Sequence, residues 1–70
     1  MYDKLNMPQI KNIIAKNIKK RDIPVHQLAQ ISGISTFEIY EIINGQLLPN
    51  LKTLRKLSEA LNIPLTDLIN

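Results

Sequence analysis

Seventy residues with a hydrophobic fraction of 44%, a net charge of +3 and a pI near 9.5 describe a small, apolar-rich, mildly basic chain. That length allows one domain, residues 1–70, and a chain this short buries only about 60% of its unfolded surface, so its elements must pack well or pair with a second copy. The absence of cysteine excludes disulfides, thiolate metal sites and a Cys nucleophile. No apolar run approaches the ~20 residues of a membrane span, and Met1-Tyr2-Asp3-Lys4 opens no signal-peptide pattern. The expected location is the cytoplasm.

Met1 to Leu5 reads as an arm or lead-in, and Asn6 as a cap on the first helix, with Gln9 completing a weak capping box and Pro8 tolerated in the first turn. Ile10, Ile13, Ile14 and Ile18 recur at helical spacing and predict one apolar stripe. Lys11, Lys16, Lys19 and Lys20 are assigned to the opposite face, followed by Arg21. The last cations complement the helix dipole, so stability alone explains them; phosphate contact is the sharper reading, and a membrane-surface helix a third. The third is weak, because the apolar stripe is needed for a core.

Asp22-Ile23-Pro24 ends that helix and opens a second, about Pro24 to Ser32. Gly33 then predicts a left-handed turn. Ser35 is the expected N-cap of a third helix, about 35–44, and Ser35-x-x-Glu38 has the form of a capping box. Leu28 and Ile31 before the turn, and Ile34, Ile39, Ile42 and Ile43 after it, are expected to share one core, with Ala29 permitting a close helix crossing. That is helix-turn-helix spacing, at about 24–44. Gly45 stops the third helix, Gln46-Leu47-Leu48 is a loop closed by Pro49, and Asn50 caps a fourth helix over about 51–61. Leu54, Leu57, Ala60 and Leu61 form its inner stripe, Asn62 fits its C-terminal turn, and Leu65, Leu68 and Ile69 complete the core from a fifth. Ile63-Pro64-Leu65 repeats the local solution of Ile23-Pro24-Val25.

Taken together, Leu28-Ala29, Gly33-Ile34-Ser35, Ile39, Ile42, Asn44-Gly45, Pro49, Leu54, Leu57, Ala60-Leu61 and Leu68 resemble the Cro/C1 (XRE-type) helix-turn-helix family of phage and bacterial regulators. The resemblance runs from about residue 10 to 69. It implies an all-α, five-helix, lambda-repressor-like domain and double-stranded DNA binding, usually as a homodimer. Carried over by position, it places Thr36, Phe37, Tyr40 and Glu41 against bases in the major groove. Thr36 can hydrogen-bond a base or phosphate, Phe37 can pack on a thymine methyl, and Glu41 can accept from a cytosine amino group. Gln27, Lys19, Ser35 and Gln46, with the amides after Gly33 and Gly45, are the expected phosphate contacts.

The charge pattern runs against part of this reading. No Lys or Arg lies between Asp22 and Leu51, where Glu38 and Glu41 are the fixed charges. Each missing phosphate contact removes a counterion-release term. Related proteins often pair an Arg on helix 1 with a Glu near the end of the recognition helix; here those positions are Ile18 and Ile43, an apolar pair that can replace a buried ion pair without loss of stability. Phe37, Leu47 and Leu48, with Tyr40, would form a protein-binding patch if they point outward; the alternative is that Tyr40 and one of the leucines tuck back onto the domain. The alternative function is therefore a protein-interaction module with weak or no specific DNA binding. Catalysis finds little support: His26 is the sole histidine, the acidic residues are scattered, and both glycines belong to turns. No cofactor and no metal site is expected.

Overall fold

The computed structural model describes residues 7–69, and the side chains of 9–68. The expected arm at Met1–Leu5 and cap at Asn6 lie outside the described residues, as does the side chain of Ile69. Five helices follow in order: α1 (Met7–Arg21), α2 (Val25–Ser32), α3 (Thr36–Ile43), α4 (Leu51–Leu61) and α5 (Leu65–Ile69). The described chain is all-α, with five helices as the spacing implied.

Ile10 and Ile14 of α1 are buried, and Ile13 and Ile18 pack half-buried beside them. They meet Leu28 from α2, Ile34 from the turn, Ile39 and Ile42 from α3, Leu54, Leu57 and Leu61 from α4, and Leu68 from α5. Burying each such side chain contributes about 1.5–3 kcal/mol against the entropy of ordering the chain. Ser58 is the buried polar residue of α4, and its hydroxyl donates to the Arg55 carbonyl at 2.8 Å. Its polar group therefore enters the core satisfied.

Left-handed residues close the helices. Asp22 has φ 55°, its amide donates to Lys19 O at 3.2 Å, and the Ile23 amide donates to Ile18 O at 3.2 Å. Asn62, with φ 57°, repeats this: its amide donates to Glu59 O at 3.2 Å and the Ile63 amide to Ser58 O at 2.9 Å. Both are Schellman closures. The likeness of Ile23-Pro24 to Ile63-Pro64 thus has a common backbone cause: an Ile seals the helix end and a Pro presets the next first turn.

Ile31 departs from expectation. It is 56% exposed. Val25, Leu28 and Ala29 define the inward face of α2, and at 100° per residue Ile31 falls roughly 120° away from its centre. The chain reverses at Gly33, and Ile34, only 5% exposed, takes the core position instead. Lys11 is the second correction. It is half-buried rather than on the far side of α1 from the stripe. Lys11 precedes Ile18 by two helical turns, so the two share a flank.

Candidate nucleic-acid interface

Two short helices and the turn between them build the site. Pro24 precedes α2 with extended backbone (φ −63°, ψ 146°) and offers no side-chain cap. The first-turn amides of Val25 and His26 are thereby left for an acceptor from outside the helix. At the other end, Gly33 adopts φ 76° and its amide closes on Ala29 O at 2.9 Å. The Ile34 amide is held by the Ser32 hydroxyl at 3.2 Å. Ser35 then caps α3, its Oγ accepting from the Glu38 amide at 3.1 Å. The reciprocal half of the expected capping box, from the Ser35 amide to the Glu38 carboxylate, is not formed. The Ser35 O–H remains free to donate, since capping uses only an oxygen lone pair.

Ile39 and Ile42 anchor α3 in the core, at 0% and 1% exposure. That burial fixes the rotation of the helix and turns its other face outward. Thr36 is exposed, Phe37 is 72% exposed and Tyr40 52%, while Glu41 is half-buried. The four residues matched to base contacts thus lie on one face, with Glu41 at its edge. Gln27, Lys19, Ser35 and Gln46 are all exposed. Leu48 is 47% exposed, whereas Leu47 packs half-buried against the core. Of the four residues expected in an apolar patch, Leu47 is withdrawn and Phe37, Tyr40 and Leu48 are exposed. Ile18 and Ile43 both pack half-buried against the core.

The corner after α3 differs from expectation. Gly45 has φ 77°, its amide donates to Ile42 O at 3.1 Å, and the amides of Gln46 and Leu47 both donate to Glu41 O, at 2.8 and 3.2 Å. These amides are spent closing the helix and do not face a ligand. What reaches this corner is Lys11. A Cβ placed on Gly45 would lie 3.4 Å from Lys11 Cδ and 3.6 Å from its Nζ. Sequence reading missed this cation because it was sought within the loop. Its place there follows from the register of α1 against α3, for which neither helix's own sequence carries a signal.

Leu51, Lys52 and Arg55 line a shallow hollow at the start of α4. Asn50 caps that helix, its Oδ1 accepting from the Thr53 amide at 2.8 Å. The described Lys and Arg residues thus belong to α1 and α4, and α3 carries none. No helix among the described residues is long and apolar enough to cross a membrane.

The sequence model of a helix-turn-helix family matches residues 14–68, from the middle of α1 to Leu68 of α5. No curated protein and no solved structure gives a significant match. With most of the chain matched and the turn, caps and core of α2 and α3 in place, the chain belongs to the Cro/C1 (XRE-type) helix-turn-helix family, a family of DNA-binding regulators.

Proposed function

We propose that this protein binds double-stranded DNA sequence-specifically as a cytoplasmic transcriptional regulator, most simply a repressor, and engages a two-fold operator as a homodimer. The observation that carries this reading is the orientation of α3. Its buried Ile39 and Ile42 leave Thr36, Phe37 and Tyr40 projecting from the first turns of a capped helix, with Glu41 beside them. In this geometry Thr36 and Tyr40 offer hydroxyls to base edges or phosphate, Phe37 supplies an apolar surface for a thymine methyl, and Glu41 selects for a cytosine amino group. Gln27 at the uncapped start of α2, Ser35 with its free O–H, Gln46 and Lys19 set the register on phosphates. Catalysis has no part in this reading.

A second reading rests on a specific observation. Phe37, Tyr40 and Leu48 are exposed together on a segment without Lys or Arg. Such a surface also suits a protein partner. Fluorescence anisotropy with a pool of duplex DNA, followed by selection of the bound fraction, separates the two. Salt-sensitive binding that enriches particular sequences supports the regulator. Binding without enrichment favours the interaction module.

A further inference from the structure

We propose that Lys11, which lies on the α1 turn ahead of the family-matched segment, is a phosphate-binding residue that supplies the corner after α3 with its positive charge. The inference rests on the DNA-binding reading and adds to it a contact from a residue ahead of the matched segment, which begins at 14.

Four observations converge. The corner has no cation of its own, since residues 23–51 contain neither Lys nor Arg. Three of its amides are already committed, because those of Gly45, Gln46 and Leu47 all donate to carbonyls of α3. The Lys11 side chain is laid along this corner, with Nζ 3.6 Å from the Cβ position of Gly45, and the bare glycine leaves room for it. Finally, Lys11 forms no ion pair or hydrogen bond with a described residue, so its N–H donors remain unspent.

A half-buried lysine stem loses less freedom on binding than a fully solvated one, because packing already restricts its rotamers. Lys11 also shares a flank of α1 with Ile18, two turns on. Gln46, exposed on the same corner, can donate to the second phosphate oxygen. A role confined to stabilising α3 is the competing explanation, since a cation near a helix C-terminus complements its dipole.

The test compares Lys11→Met, Lys11→Arg and Lys16→Met with the natural protein. Lys16 is exposed on α1 and points well away from Lys11. Each protein is titrated by anisotropy against a random-sequence duplex pool between 50 and 200 mM salt, and melted by circular dichroism. The expected result is that Lys11→Met lowers the slope of log affinity against log salt by about 0.9 and weakens binding about eightfold at 0.1 M salt. Lys11→Arg restores both, and Lys16→Met changes neither. An unchanged slope for Lys11→Met, with or without a lower melting temperature, overturns the Lys11 assignment while leaving the DNA reading standing. Failure of the natural protein to bind any duplex removes both.

Discussion

Phe37→Ala isolates base reading from folding, because the ring contributes so little to the fold. Phe37 is 72% exposed on the second residue of α3. Truncating an exposed side chain changes stability by no more than about 0.5 kcal/mol, and alanine is the better helix former by a similar amount. The melting temperature should therefore hold, or rise by about 2–4 °C for a chain this small. Against DNA the balance differs. If the ring covers roughly 40 Å² of apolar surface on a thymine methyl, the contact contributes about 1 kcal/mol, or fivefold in affinity. The assay is anisotropy on a selected duplex and on the same duplex with that thymine replaced by uracil, which lacks the methyl. The natural protein should lose about fivefold on the uracil duplex, and Phe37→Ala should bind both equally. Equal loss from Phe37→Ala on every sequence would refute the assigned role.

Lys19→Ala should weaken binding to all duplexes alike and flatten the salt dependence by about one phosphate's worth, a slope change near 0.9 in the same titration. Gly45→Ala should cost about 1–2 kcal/mol, because φ is 77° there. The new Cβ meets Lys11 Cδ only at an ordinary 3.4 Å, so a loss well beyond that in urea melts would mean the corner is tighter than it looks. Leu57→Ala empties a fully buried site and should cost about 2–5 kcal/mol. For a domain of this size that is enough to leave much of the population unfolded at 37 °C, as circular dichroism would show.

The fold was legible because its local signals agreed. Gly33, Ser35, Asn50 and the Ile-Pro pairs each name a helix boundary through a short-range cause, and the structure places boundaries at these points. The inner stripes of α3 and α4 were legible for the same reason, since periodicity and burial coincide at Ile39, Ile42, Leu54, Leu57 and Leu61. What escaped depended on relations between elements. Ile31 looked like core, yet it lies well off the inward face of α2, and Ile34 beyond the turn takes the core position. Of Tyr40 and the two leucines, only Leu47 tucks inward, while Tyr40 stays exposed, because the path of the loop decides which side chain meets the core. Lys11 needed the register of α1 against α3, which the sequence of neither helix contains. The amides after Gly45 were misread for a related reason: a glycine turn marks a helix end without saying whether its N–H groups face solvent or their own helix.

The most direct test of the DNA-binding account is selection of bound sequences from a random duplex pool by the natural protein, repeated at increasing salt. The account predicts binding that weakens with salt and enriches a two-fold site, with half-sites about one helical turn, roughly 10 base pairs, apart. Weak binding that enriches no sequence would contradict it. The acidic, cation-free face of α3 would then be decisive, and a protein partner should be sought on the Phe37 surface.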